Sequence, residues 1–168
     1  MSILGKILMI GALVTVSACT DAGRLGGLGG QDAGAGVIVP GSANDPASPA
    51  YFSQTVGDRV LFAVDQSTLS AHAQTVLESQ AQWLMVNTDY SAVIEGHADE
   101  QGTREYNLAL GARRANAARE YLMSRGVAGT RLKTVSYGKE RPIEICSEES
   151  CYAQNRRAVT VLAGGLTS

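Results

Sequence analysis

The chain has 168 residues, of which 45% are hydrophobic and 18% are charged, and its formal net charge is -2. This length accommodates one ordinary domain with appendages. The nearly neutral charge balance excludes the basic excess that marks most nucleic-acid-binding proteins, so we expect no nucleic-acid partner.

The first residues have the pattern of an export signal. Lys6 precedes an apolar run, ILMIGALVTV, at residues 7–16, which is too short for an ordinary membrane-spanning helix. The following VSAC, residues 16–19, resembles the lipobox of bacterial lipoproteins, in which cleavage precedes the cysteine and acyl chains are attached to it. We therefore expect a signal peptide at residues 1–18 and a lipid anchor on Cys19. An ordinary secretory signal with a chance cysteine is the alternative.

The segment after Cys19 has the composition of a flexible tether. It is rich in Gly, Ala, Ser and Pro and has neither aromatic residues nor apolar periodicity before residue 51. Such a segment cannot bury enough surface to offset its ordering entropy, so we predict a tether over residues 19–50 and a folded domain over residues 51–168. Thr20, rather than an aspartate, follows the cysteine. By resemblance to the sorting pattern of Gram-negative lipoproteins, this implies the outer membrane.

Regular periodicity begins after the tether. The apolar run RVLFAV at residues 59–64 predicts a strand, and residues 69–86 carry one apolar stripe at helical spacing. Residues 91–98 predict a second strand, and residues 103–125 predict the longest helix, which Gly126 then ends.

Two further strands complete the domain, at residues 132–138 and 157–163, and a short helical turn can precede the last one. The order β-α-β-α-β-β predicts an α/β two-layer sandwich, in which helices pack on a small mixed four-stranded sheet.

Two cysteines, Cys146 and Cys151, remain besides Cys19. In an exported protein such a close pair predicts a disulfide, here in the loop before the last strand. A metal clip is one alternative, but the histidines, His72 and His97, are distant in sequence. A redox-active pair is another, although its spacing differs from the two-residue spacing of thioredoxin-like sites.

The longest predicted helix contains two adjacent arginines in different environments. Arg113 falls toward solvent on a helical wheel, whereas Arg114 falls within the packing stripe. That stripe consists of Asn107, Leu110, Gly111, Arg114, Ala115, Ala118, Tyr121 and Leu122. A buried guanidinium without a partner is costly, so Arg114 requires an anion.

The residues alone leave three roles for Arg114. It can form an internal salt bridge, for which Asp99 in GHADEQGT is the best candidate, or its charged group can reach water at the surface. Alternatively, Asp99 and Arg114 together bind a zwitterionic amino-acid group, since guanidinium matches a carboxylate and aspartate accepts from an ammonium.

The stretch VIEGHADEQGTREYNLALGARRANAAREYL, residues 93–122, closely resembles the OmpA-like C-terminal domain family, in its group of peptidoglycan-associated lipoproteins. The likeness continues through VSYGKERP and NRRAVTV, at residues 135–142 and 155–161. The matching motif positions are Gly96, His97, Ala98, Asp99, Asn107, Leu110, Arg114 and Ala115.

The resemblance implies an outer-membrane lipoprotein that binds peptidoglycan noncovalently through diaminopimelate of the stem peptide and needs no cofactor or metal. It also implies that the protein tethers the outer membrane to the cell wall as part of the Tol-Pal system, supporting envelope integrity and constriction at cell division. An alternative is a protein-interaction hub that mainly binds TolB and through it the Tol complex.

The resemblance also implies roles for individual residues. Asp99 and Arg114 would hold the zwitterionic end of diaminopimelate, and backbone N–H groups around Glu100 and Thr103 would meet its oxygens. His97 is interpreted as structural, at the strand end. Ala63 and Gln101 depart from residue types common in the family, which affects only the rim of the site. The walls of the site would be formed by Phe62, Asp65, Asn107 and Leu110.

No catalytic pattern is present. The sequence has no Ser-His-Asp arrangement in a motif context, no phosphate-binding loop after a strand and no metal-ligand spacing. Glu95, Asp99 and Glu100 are candidate acids for a cell-wall hydrolase, but Glu95 and Asp99 are close only along the chain, and the resemblance favours a binding protein. We therefore expect that the protein is not an enzyme.

Overall fold

The computed structural model describes residues 38–164, so the predicted signal peptide, Cys19 and much of the predicted tether lie outside the described residues. Among the described residues, each helix is too short or too polar to cross a membrane. A π-helical turn spans Phe52–Gly57, and a 3-10 turn spans Gly129–Arg131. The elements are α1 Pro49–Tyr51, β1 Arg59–Leu61, α2 Ala71–Val86, β2 Tyr90–His97, α3 Arg104–Ser124, β3 Leu132–Gly138, α4 Glu149–Asn155 and β4 Arg157–Gly164.

The four strands form one mixed sheet in the order β1-β4-β2-β3. Strand β4 is antiparallel to both β1 and β2, whereas β2 and β3 are parallel. Helix α3 connects the two parallel strands, as a parallel pair requires a crossover. The predicted α/β fold with a mixed four-stranded sheet is confirmed.

The helices cover one face of this sheet. Along β2, Ala92 and Ile94 are buried while Ser91 is exposed, and along β4, Thr160 is buried while Val161 is 41% exposed. This alternation is that of a sheet with one covered face. The largest fully buried apolar side chains of the core are Phe52, Leu77, Leu84, Ile94 and Leu122, and Trp83 and Phe62 are almost fully buried beside them.

Strand β2 and helix α3 approach each other at two glycines. A Cβ atom on Gly96 would lie 1.8 Å from the carbonyl oxygen of Gly111, so only hydrogen fits there. The Cβ atom of Ala115 also lies close to Gly96, and both Ala115 and Ala118 are buried. The small residues of the predicted packing stripe therefore bring the middle of α3 onto the sheet beside the end of β2.

Helix α3 begins and ends with residues that satisfy its terminal groups. The Thr103 side chain accepts from the backbone N–H of Tyr106 at 3.2 Å. At the other end, Gly126 has φ 103 and the N–H of Val127 donates to the carbonyl of Leu122, as in a Schellman motif. The predicted glycine stop at residue 126 is therefore confirmed.

The first strand is shorter than the apolar run predicts. The prediction covered residues 59–64, but β1 ends at Leu61. After Phe62 the backbone leaves the sheet, and the carbonyls of Ala63 and Gln66 accept hydrogen bonds from Arg114 instead. The apolar pattern does not reveal this turn, because its cause lies on a helix about fifty residues later.

Residues 46–50, which composition assigned to the tether, contact the folded domain. The indole N–H of Trp83 donates to the carbonyl of Pro46 at 2.7 Å, and the Tyr90 hydroxyl donates to that of Ala47 at 3.2 Å. Ser48 is buried and caps α1. These contacts satisfy the polar ends of Trp83 and Tyr90.

Candidate functional site

A polar cavity of about 210 Å³ lies where β2 ends and α3 begins. A larger cavity of about 420 Å³ lies between residues 46–56 and α2, but its lining contains no charged side chain. The smaller cavity, hereafter the site pocket, is therefore the better candidate for a specific charged ligand. Its lining consists of Val64, Asp65, Asp99, Gln101, Gly102, Tyr106 and Leu110.

Arg114 is fully buried behind this pocket, as the helical wheel predicts for one of the two arginines, while Arg113 is exposed. Its Nε donates to the carbonyl of Gln66 at 2.8 Å. Nη1 donates to the carbonyl of His97 at 2.9 Å, and Nη2 donates to that of Ala63 at 3.1 Å. The guanidinium thus joins the turn after β1 to the end of β2.

The charge of Arg114 is balanced by groups of the site pocket. Burial lowers the pKa of Arg114 to about 10, while the nearby carboxylate of Asp99 favours the charged form. Asp65 and Tyr106 also raise the pKa of Arg114, but less than Asp99 does. Because a pKa of about 10 is well above neutral pH, the guanidinium remains charged and places a positive potential behind the pocket.

Among the described residues, the ion-pair partner of Asp99 is Arg156 rather than Arg114. Nη1 of Arg156 donates to Oδ2 of Asp99 at 3.0 Å, and only 4% of the Arg156 side chain is exposed. Oδ1 of Asp99 accepts from the backbone N–H of Gln101 at 3.2 Å. Of the three roles that the sequence left open for Arg114, the internal salt bridge to Asp99 is therefore not formed: three carbonyls hold Arg114, and a second arginine pairs with the acid.

Asp65 and Tyr106 form the opposite side of the site pocket. Asp65 has φ 59, a left-handed conformation that aspartate tolerates better than most residues. Its Oδ1 accepts from the Tyr106 hydroxyl at 2.8 Å, which raises the pKa of Tyr106. The pocket lining thus contains two carboxylates, Asp65 and Asp99, an arrangement that suits a ligand ammonium group.

The other predicted site residues divide into two groups. Phe62 and Asn107 are buried behind the lining: the Phe62 ring centroid lies 5.3 Å from Cζ of Arg114, and Asn107 donates to the carbonyl of Gln101 at 2.7 Å. Glu100 and Thr103 lie on the loop around the pocket and are exposed. Of the eight predicted ligand-binding residues, the lining includes Asp65, Asp99 and Leu110.

Sequence reasoning missed Val64 and Gly102 of the lining and, more importantly, two side chains that hydrogen-bond to the carboxylates of the site. Tyr106 lies four residues before Leu110, so the helical spacing was sufficient to place it beside the predicted wall. Arg156 lies within the NRR motif, but nothing in its local pattern indicates a partner 57 residues earlier. Gln101, noted from sequence only as a departure, lines the pocket.

A disulfide joins Cys146 to Cys151 beside the site, with their Cα atoms 5.9 Å apart. The short helix before the last strand, α4, begins inside this disulfide loop at Glu149. The Glu149 carboxylate accepts from Nη1 and Nη2 of Arg156, which lowers the pKa of Glu149. The loop is thus connected to the arginine that pairs with Asp99.

His97 lies at the end of β2 with 2% of its surface exposed. Neither ring nitrogen has a hydrogen-bond partner among residues 38–164, and the ring lies 5.6 Å from that of Tyr137. Burial, together with the charges of Arg157 and Arg141, lowers the pKa of His97 to about 4. The neutral imidazole packs as part of the core below the site.

Comparison with known proteins relates this geometry to named relatives. The sequence model of the OmpA family matches residues 61–156. A peptidoglycan-associated lipoprotein of Mesorhizobium japonicum is 60% identical over 131 residues, which is 78% of this chain and 74% of the relative. One of Rhizobium meliloti is 56% identical, covering 80% and 73%. The crystal structure of the peptidoglycan-associated lipoprotein from Burkholderia pseudomallei, 39% identical, superposes with a TM-score of 0.64 over 72% of this chain and 98% of that one.

Proposed function

The chain belongs to the OmpA family, and from this premise we propose that it is an envelope lipoprotein that binds peptidoglycan noncovalently. The names of relatives more than half identical to it, from Mesorhizobium and Rhizobium, support both parts of the proposal. The observation that carries it is the site pocket, in which two carboxylates lie in front of a buried guanidinium.

The ligand group that suits this pocket is the zwitterionic end of diaminopimelate. A volume of about 210 Å³ is below that of pockets for drug-sized molecules but admits the end of one amino-acid side chain. The ligand ammonium would lie near Asp65 and Asp99. Its carboxylate would meet the positive potential of Arg114, which has five N–H groups and uses three of them for carbonyls. Backbone N–H groups around Glu100 and Thr103 would complete the contacts.

We propose that a lipid on Cys19 anchors the protein in the outer membrane. The segment before the domain then covers the distance between this membrane and the cell wall. Charge-assisted hydrogen bonds contribute roughly 1.5–3 kcal/mol each, so a single site binds modestly. Many anchored copies that face a polymer with many stem peptides nevertheless hold firmly, because the effective concentration is high.

The same anchoring suits a role in the Tol-Pal system, in which TolB and the Tol complex connect the inner membrane to the outer one. In this proposal the protein supports envelope integrity and constriction during division. A binding role fits the site better than hydrolysis. Glu95, a candidate acid, lies on β2 with its Oε2 3.7 Å from His97 and outside the pocket lining, while Asp99 is held by Arg156.

The test is sedimentation of the full-length chain, purified in detergent, with isolated murein. Asp99→Asn keeps the size of the side chain and removes its charge, so we expect murein affinity to fall at least about tenfold. Asp89→Asn is the matched control, because Asp89 is exposed beside the opposite end of β2. Equal sedimentation of wild type and Asp99→Asn would overturn the proposed site.

The proposed lipid anchor has its own test. Cells that express the wild-type chain incorporate a labelled fatty acid into it, whereas a Cys19→Ser variant does not. Label that persists in Cys19→Ser would contradict the anchor and leave the proposed ligand site unaffected.

A further inference from the structure

Arg156 is shared between two acids of different exposure. Its Nη1 donates to the buried carboxylate of Asp99, while both Nη1 and Nη2 donate to Glu149, whose side chain is 64% exposed. Nε donates to the carbonyl of Phe62 at 3.2 Å. These contacts fix the plane of the guanidinium on three sides.

The contact with Glu149 determines how much of Asp99 is left for a ligand. A carboxylate has about four lone-pair positions, and Asp99 uses one for Arg156 and one for the N–H of Gln101. Arginine and carboxylate readily form two parallel hydrogen bonds when both are unconstrained. Because Glu149 occupies Nη2, Arg156 offers a single N–H to Asp99, and two positions remain on the acid.

Glu149 is itself held by the disulfide loop. Helix α4 has seven residues, which is too short to be stable alone. The Cys146–Cys151 bond closes the chain around Glu149 at the start of the helix. At its other end, the Asn155 side chain accepts from the N–H groups of Ile143 and Glu144, so α4 is fixed at both ends.

The same loop also contacts the residue next to Asp99. The Ser147 hydroxyl lies within the disulfide loop and donates to Oε1 of Glu100 at 3.4 Å. The loop thus reaches the site at two successive residues of the β2–α3 connection, through Arg156 to Asp99 and through Ser147 to Glu100.

We propose that Glu149, held in place by the Cys146–Cys151 disulfide, is a positioning residue that keeps Asp99 available to the ligand ammonium by occupying one side of Arg156. This inference rests on the proposed function, since it concerns the affinity of the same pocket. Without Glu149, Arg156 turns both terminal nitrogens toward Asp99 and competes with the ligand.

The experiment measures binding of a soluble muropeptide that carries diaminopimelate to the full-length chain in detergent. We expect Glu149→Gln to weaken binding about fivefold, the scale of one hydrogen bond. The variant with both Cys146→Ala and Cys151→Ala weakens it similarly. Glu148→Gln is the control, because the Glu148 side chain makes no capping bond to α4, and we expect wild-type affinity.

A double-mutant cycle separates positioning from general stability. If Glu149 acts through Asp99, then Glu149→Gln has little further effect on binding in an Asp99→Asn chain, whereas a general structural role weakens both backgrounds equally. We expect the urea-unfolding midpoint of Glu149→Gln to equal that of wild type. The weaker binding of this variant is then not caused by a loss of stability.

The outcomes also separate this inference from the proposed function. If wild type binds the muropeptide, Asp99→Asn binds it at least about tenfold more weakly and both loop variants bind as wild type does, the inference is wrong and the function stands. If the wild-type chain itself does not bind the muropeptide, both are overturned.

Discussion

Oδ2 of Asp99 lies 3.0 Å from Nη1 of Arg156, with 11% and 4% of the two side chains exposed. The acid of the site pocket is therefore balanced by an arginine just before the last strand, while Arg114 from α3 is held by carbonyl dipoles. A ligand ammonium would add to an existing ion pair rather than complete one. This division of roles between two arginines leads to different expectations for each.

Replacing Arg114 by leucine should destabilise the domain strongly. The change leaves the carbonyls of Ala63, Gln66 and His97 without their donor, and all three of these hydrogen bonds are buried or partly buried. Unsatisfied buried groups cost about 1–3 kcal/mol each, so we expect a loss of about 3–5 kcal/mol of unfolding free energy. Urea denaturation followed by circular dichroism measures it.

Arg113→Leu is the matched control on the neighbouring position. Arg113 is exposed and its Cζ lies 5.9 Å from the centroid of the Tyr106 ring, so we expect a change within about 0.5 kcal/mol. Equal unfolding midpoints for the two variants would show that the carbonyl contacts of Arg114 contribute little.

Gly96→Ala should prevent the close packing of β2 against α3. The added Cβ would lie 1.8 Å from a backbone oxygen of Gly111, and backbone atoms cannot move aside as a flexible side chain can. We expect a loss of about 4 kcal/mol or more, seen as poor soluble yield or a much lower Tm. Gly129→Ala is the control, because the atoms nearest to Gly129 belong to the flexible side chains of Met123 and Arg119. These side chains can move aside, so we expect the unfolding free energy to change by about 1 kcal/mol.

Tyr106→Phe should weaken ligand binding without affecting the fold. The hydroxyl donates to Oδ1 of Asp65 at 2.8 Å and fixes that carboxylate beside the pocket, while the ring is 42% exposed. We expect muropeptide affinity to fall about fivefold and unfolding free energy to remain within about 0.5 kcal/mol. Tyr121→Phe serves as control, because its hydroxyl accepts from Arg125 near the far end of α3. An unchanged affinity in Tyr106→Phe would remove Asp65 from the proposed contacts.

The fold was predictable because its determinants are local. The stripe of Leu110, Gly111 and Ala118 recurs at helical spacing, and the glycine after α3 ends the helix through its own backbone. The end of β1 was not predictable, because the turn after Leu61 depends on hydrogen bonds to Arg114. A hydrophobic pattern does not indicate contacts between residues that are this far apart in the sequence.

The candidate site was likewise predictable only in part. Burial of Arg114 follows from the helical wheel, since a charged residue inside an apolar stripe requires partners. The identity of those partners does not follow, because backbone carbonyls have no sequence signature. Arg156 lies at the junction between α4 and β4, where neither helical nor strand periodicity indicates which way its side chain points.

The stability of the domain should depend on pH through His97. Burial lowers the pKa of His97 to about 4, against about 6.5 for a histidine exposed to water. Above pH 6.5 the imidazole is neutral in both the folded and the unfolded chain, so it does not make the unfolding free energy depend on pH. Between pH 6.5 and 4 the unfolded chain binds a proton that the folded chain does not, so unfolding free energy falls as pH falls. Below pH 4 both states are protonated and this loss, about 3 kcal/mol at most, is complete.

The measurement is urea unfolding at intervals from pH 7.5 to pH 4, compared with His97→Leu. Other groups contribute to both curves, and Glu95, Arg141 and Arg157 lie near enough to the ring to influence it. The difference in unfolding free energy between wild type and His97→Leu isolates the contribution of the histidine. As pH falls, we expect the leucine variant to become more stable relative to wild type. His72→Leu, at an exposed position on α2, should retain the wild-type slope. Parallel curves for wild type and His97→Leu would show that the buried ring gains a proton as readily as it does in the unfolded chain.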